Sequence, residues 1–153
     1  MTSDELIEEV RVELENIEIV LKELACLYED VKSIEVSMRN KTAAAAFLAQ
    51  FYGGIENILK RISRFYGVSL PSGNLWHVQL FKRFCNPPLE PLPLIFDKAL
   101  SEDLAPYRKF RHVVHHGYGF HLDWDRMKEG IERSQTIFVC FKTSIENYIK
   151  TLK

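Results

Sequence analysis

Residues 2–31 read TSDELIEEVRVELENIEIVLKELACLYEDV. Ile7, Val10, Leu14, Ile17, Leu21, Leu24, Tyr28 and Val31 recur at steps of three and four, which draws one apolar stripe along a long helix. Thr2 with Glu5 three residues later suits a capping box at its start. A helix with one apolar stripe must bury it against another element. The next candidate carries Ala44, Leu48, Phe51, Ile55, Ile58, Ile62 and Phe65, with Asn40 as a start signal and Gly67, then Pro71-Ser72-Gly73-Asn74, as its end. The pair Gly53-Gly54 lies inside this helix, where each glycine costs about 1 kcal/mol relative to alanine. Close approach of another helix is the expected compensation.

Further along, a shorter helix is predicted from about Leu75 to Phe84. Pro87, Pro88, Pro91 and Pro93 then forbid a regular helix, because each lacks an N–H and clashes with the preceding turn. Neither flank is large enough to fold alone, so this is a stiff connection within one domain. A short helical piece is expected at Leu94 to Leu100. Ser101 then starts a helix through about His116, with Pro106 near its first turn or kinking it. Gly117 and Gly119 mark a break. Asp123 caps a last long helix carrying Met127, Ile131, Phe138, Phe141, Ile145, Tyr148 and Leu152. No strand-like alternation competes. The expected fold is all-α, an up-and-down four-helix bundle with an additional short helix, in a single domain spanning residues 1–153.

Composition agrees with a soluble globular protein: 153 residues, 46% hydrophobic and 27% charged. The apolar run Ala43–Ala49 is far short of the ~20 residues that span a membrane. The start of the chain is acidic and polar, unlike a secretory signal. Cys26, Cys85 and Cys140 are odd in number and widely spaced, which argues for a reducing compartment and against a zinc finger or disulfide framework. The expected location is the cytoplasm. The formal charge of −1 is unevenly distributed: residues 1–30 hold ten acids and two bases, the remainder eleven acids and eighteen bases. The acidic half reads as a solvated helix. The basic half admits a polyanionic partner.

The chemistry gathers in Tyr107-Arg108-Lys109-Phe110-Arg111-His112-Val113-Val114-His115-His116-Gly117-Tyr118, which holds three Lys/Arg, three His and no acid. Phe110, Val113, Val114 and Gly117 fall together at 100° per residue and are expected to face the core, with cations and imidazoles opposite. A bundle helix does not need six such residues to fold. Imidazoles move protons near neutral pH, and Arg and Lys supply fixed positive charge for a phosphate. A solvated basic face is one reading. A metal pair at His112 and His116 is another, opposed by the neighbouring cations and the lack of a nearby acid or thiol. Metal-free phosphodiester chemistry on RNA is the third.

Arg111, His116 and Tyr118 match the pattern Arg-x4-His-x-Tyr. On these residues, and on the stretch Gly54-Ile55-Glu56-Asn57-Ile58-Leu59-Lys60, the chain resembles the HEPN superfamily and specifically the HepT-like toxins paired with MNT nucleotidyltransferase antitoxins. The resemblance implies a homodimer built on a four-helix bundle and a metal-independent ribonuclease without cofactor. Arg111 and His116 would be the catalytic pair, and Tyr118 the residue that a cognate MNT enzyme AMPylates. Arg108, His112 and His115 would support RNA binding. It also admits a non-catalytic HEPN subunit that serves a separate nucleotidyltransferase.

Helical spacing and the family pattern disagree on one point. On a straight helix Arg111 and His116 are about 140° apart, whereas Arg111, His115 and Tyr118 lie within about 60°. Spacing nominates His115 and the pattern His116; Gly117 re-aiming His116, or a second copy completing the set, would reconcile them. Trp76, His77 and Trp124 read as packing. The basic turns Lys60-Arg61 with Arg64, and Lys82-Arg83, read as solvated faces.

Overall fold

Thr2 starts the first helix as its spacing predicts. In the computed structural model its Oγ1 accepts from the Glu5 amide at 3.2 Å, and Glu5 Oε2 accepts from the Thr2 amide at 3.1 Å. The structure describes residues 1–153, Phe120 by its backbone alone. Helix α1 runs Ser3–Val31, α2 Met38–Phe65, α3 Trp76–Lys82, α4 Lys98–His116 and α5 Trp124–Thr151, with a 3-10 turn at Gly119–His121 between the last two. No strand occurs among the described residues; an isolated bridge joins Cys85 and Phe96. The all-α expectation holds.

Two boundaries differ from the sequence reading. Helix α2 starts three residues earlier than Asn40 suggested, because Ser37 is the cap and its hydroxyl accepts from the Asn40 amide at 3.1 Å. No separate helical piece occupies Leu94 to Leu100. Instead α4 begins at Lys98, where Asp97 accepts from the Leu100 amide at 2.8 Å. Pro106 therefore sits in the helix interior rather than its first turn. The amides of Ile95 and Phe96 both donate to Phe84 O, at 3.0 and 3.1 Å, which ties the proline-rich connection back to the end of α3.

Cross-helix contacts fix the directions. Arg61 on α2 reaches Glu9 and Glu13 on α1, and Lys142 on α5 reaches Glu18 on α1. Arg133 on α5 meets Asp103 on α4 at 2.8 Å, and the Tyr107 hydroxyl donates to Gly130 O at 2.6 Å. With Gly54 of α2 against Ile17 of α1, and with Phe51 of α2 against Tyr107 of α4 while Thr42 of α2 meets Gly119 just beyond α4, each chain-sequential pair of long helices is antiparallel, which is the up-and-down arrangement. Part of the acidic charge on α1 is thus spent inside the molecule.

All the α1 stripe residues are buried except Tyr28, which is half-buried. Full burial of such a side chain stabilises by about 1.5–3 kcal/mol. Gly54 shows why α2 carries glycine in its middle: a Cβ there would lie 2.5 Å from Ile17 Cγ1. The expected close approach is that of α1. On α4 the buried positions are Leu100, Leu104 and Tyr107. The expectation that Val113 and Gly117 face the core fails, since both are exposed, and Phe110 and Val114 are only half-buried. For Phe110 and Val113 the reason is a groove of about 400 Å³ left between α4 and α5, which they line with Met127 among others. No helix among the described residues is long and apolar enough to cross a membrane.

Candidate functional site

Tyr52, Glu56, Leu59 and Ser63 form a row along α2 at steps of four and three, and all are buried. A carboxylate in such a row needs a counter-charge, because an unpaired buried ion costs several kcal/mol. Arg111 supplies it from α4: its Nη1 lies 2.6 Å from Glu56 Oε1. The contact is an ion pair without the alignment of a hydrogen bond, and Oε1 and the Tyr52 hydroxyl are the two buried side-chain polar atoms, among the described residues, that lack one. Burial first, and then the Glu56 carboxylate, push the Tyr52 hydroxyl well above the usual phenol range, so it stays protonated.

The other carboxylate oxygen belongs to His77. Glu56 Oε2 is 2.5 Å from His77 Nδ1. A carboxylate can only accept, so this contact assigns N–H to Nδ1 and, in the neutral ring, the lone pair to Nε2; the Arg111 approach to Nδ1 is then proximity and not a hydrogen bond. Arg111 Nη1 lies 2.8 Å from His77 Nδ1 and 3.4 Å from Nε2. The imidazole lies against Trp76, tilted by 33° with ring centroids 3.5 Å apart, and Lys60 Nζ sits 4.6 Å from the Trp76 ring centre. His77 is therefore more than packing. The signal that could have found it is Glu56, an acid set in the buried row of α2.

Arg111 crosses the helix crossing at Gly53, where a Cβ would lie 3.8 Å from its Nε. Beside it a groove of about 400 Å³ opens, lined by Gly53, Gly54, Asn57, Glu13, Arg111 and His115 among others. The groove thus gathers Arg111 and His115, and His116 is not among its lining residues. Helix α4 stays regular through His116, so Gly117 does not turn that residue toward Arg111. The His116 ring instead lies 4.5 Å, centroid to centroid, from His112 on the exposed side. Arg108 places its guanidinium 5.2 Å from the Phe81 ring centre, a cation–π contact. Tyr118 follows the helix, 69% exposed, with its ring 6.1 Å from that of His121.

Among the described residues, no group of three or more His, Cys, Asp or Glu side chains is placed to hold a metal ion. The chemical content of the region is a fixed guanidinium on a buried carboxylate, an exposed array of imidazoles and an exposed phenol.

A family model for HepT-like proteins matches residues 43–152. The chain belongs to the HepT-like family. The matched stretch holds most of α2 and all of α3, α4 and α5, including Glu56, His77, Arg111, His116 and Tyr118 of this HepT-like protein. Comparisons with curated proteins and with solved structures gave no match. In this HepT-like chain Arg111, His116 and Tyr118 occupy the last turns of α4 and the residue after its cap.

Proposed function

We propose that this HepT-like protein is a metal-independent endoribonuclease toxin of a toxin–antitoxin pair, acting in the cytoplasm. It cuts RNA in a cleft shared by two copies of the chain and is neutralised by a cognate MNT-type nucleotidyltransferase that AMPylates Tyr118. The observation that supports the reading is the exposure of His112, His115, His116 and Tyr118 together on the end of α4 that also carries Arg111.

The chemistry needs no cofactor. A base removes the 2′-OH proton, the 2′-oxygen attacks phosphorus, and an acid protonates the departing 5′-oxygen. Such proton transfers are worth roughly 10²–10⁴-fold. Charge grows on the nonbridging oxygens, where a guanidinium is an effective partner. DNA lacks the 2′-OH and is spared. Attack and departure occur on opposite sides of phosphorus. A two-fold axis that brings together two His116 and two Arg111 supplies groups on both sides. Arg108, His112 and His115 contribute positive or protonatable surface for the RNA backbone.

The test is cleavage of a mixed RNA by purified protein in EDTA. Wild type is expected to leave 2′,3′-cyclic phosphate ends, and Arg111→Ala and His116→Ala to lose at least 100-fold. Loss in His115→Ala with His116→Ala unaffected moves the role to His115. A wild type without activity on any RNA overturns the reading. The second reading, a non-catalytic subunit of a nucleotidyltransferase, is favoured by one observation: Arg111 is already paired to Glu56.

A further inference from the structure

We propose that His77 is a further catalytic residue, the base that takes the 2′-OH proton, with Glu56 holding it and Arg111 gripping the phosphate beside it. The inference rests on the ribonuclease reading above and adds a residue that the Arg-x4-His-x-Tyr pattern does not contain. Three features of one place carry it. Glu56 is buried, with its side chain 2% exposed, and its Oε2 takes the Nδ1 proton of His77. That contact fixes the ring and its tautomer and stabilises the imidazolium that forms when Nε2 accepts a proton. The His77 side chain is 28% exposed, so it is not sealed from solvent. Arg111 Nη1 lies 2.8 Å from Nδ1 and 3.4 Å from Nε2, so the guanidinium and the imidazole are close enough to act on one phosphate.

The arrangement is a carboxylate–imidazole pair beside a cation, made within one protomer from α2, α3 and α4. The charged groups on the helices against α3 are Glu56 and Lys60 on α2, and Arg108 and Arg111 on α4. With His77 neutral, Glu56 and Arg111 cancel. Once His77 has taken the proton, the trio carries one positive charge, which opposes the negative charge building on the phosphorane. The balance is complete: the 2′-OH proton goes to Nε2, the O2′–P bond forms, and the P–O5′ bond breaks. The 5′-oxygen leaves with a proton from the acid, the role left to His116. His77 then gives its proton to water and His116 takes one back, which restores both residues. Such a division also removes the need for one imidazole to serve both sides of phosphorus.

The experiment compares wild type, His77→Gln, His77→Phe and His116→Ala, each first shown by circular dichroism and thermal melting to be folded. Gln keeps a donor for Glu56 but cannot carry a proton, and Phe keeps the ring contact with Trp76. Both are expected to cleave RNA roughly 10²–10⁴-fold more slowly. Their pH–rate profile should lose the rising acid-side limb expected of wild type. On RNA with a 5′-bridging sulfur, which leaves without an acid, His116→Ala should recover and the His77 variants should not. Cleavage within threefold of wild type, a uniform loss with an unchanged pH profile, or recovery of His77→Gln on the sulfur substrate overturns the assignment while leaving the ribonuclease reading intact. A wild type that cleaves no RNA overturns both.

Discussion

Arg111 and Glu56, 55 residues apart in the chain, meet at 2.6 Å across the α2–α4 contact. The pair is unequal: the Glu56 side chain is 2% exposed and that of Arg111 21%. Removing one partner of a buried pair costs about 3–5 kcal/mol, because the other charge is stranded. Arg111 can turn to water and Glu56 cannot. Glu56→Gln is therefore expected to destabilise by about 2 kcal/mol, below that range, and Arg111→Met by more. Urea denaturation of both variants checks the order; equal losses would show that Glu56 is solvated or fully served by His77. Activity lost in an Arg111 variant must accordingly be read beside its stability.

Adjacent glycines should respond in opposite directions. A Cβ on Gly54 would meet Ile17 Cγ1 at 2.5 Å, so Gly54→Ala overpacks the α1–α2 crossing, at a cost of about 1–3 kcal/mol. Gly53→Ala meets Arg111 Nε at 3.8 Å, an ordinary contact, and gains up to about 1 kcal/mol of helix propensity. Melting temperatures of the two variants, and of Gly54→Ala with Ile17→Ala, give the check. The double variant should lose less than the sum of its singles.

Tyr107 predicts an alkaline limit to stability. Burial pushes its hydroxyl up to about 12, while an unfolded tyrosine ionises near ~10. Below pH ~10 both states are protonated and the contribution is fully present. Between that pH and about 12 the unfolded chain ionises and the folded one does not, so stability falls as pH rises. Tyr107→Phe should lose about 1 kcal/mol at neutral pH, for the hydrogen bond to Gly130 O. It should then decline less steeply than wild type above pH 10. Equal slopes would show that Tyr107 ionises as freely in the fold as out of it.

Tyr118 tests the partner. Co-expressed with an MNT-type nucleotidyltransferase, wild type is expected to gain the mass of one AMP, and Tyr118→Phe none. An AMP adduct on that variant would move the acceptor elsewhere. Because Tyr118 is 69% exposed, the substitution should leave stability within about 0.5 kcal/mol.

Helix existence and direction were legible because burial repeats with the helix period: the α1 stripe and the Gly53-Gly54 crossing follow from spacing alone. Local competition was not. Ser37 and Asn40 are both good caps, and the earlier one takes the amide; Asp97 starts α4 before Ser101 can. The burial of Val113 was misread because periodicity says which residues share a face and not whether a neighbour covers it. His77 was passed over for a related reason. Its partners lie 21 and 34 residues away on different helices, and no local pattern reports that.

The turn after α4 is pinned: a Cβ on Gly119 would collide with Thr42 Oγ1, near the start of α2. Tyr118, one residue earlier, is thus displayed at the pole of the bundle on a short tether. Any macromolecule that reads this ring has to come down on the end of the cylinder, and a side chain added at 119 would lift the landing pad from its footing.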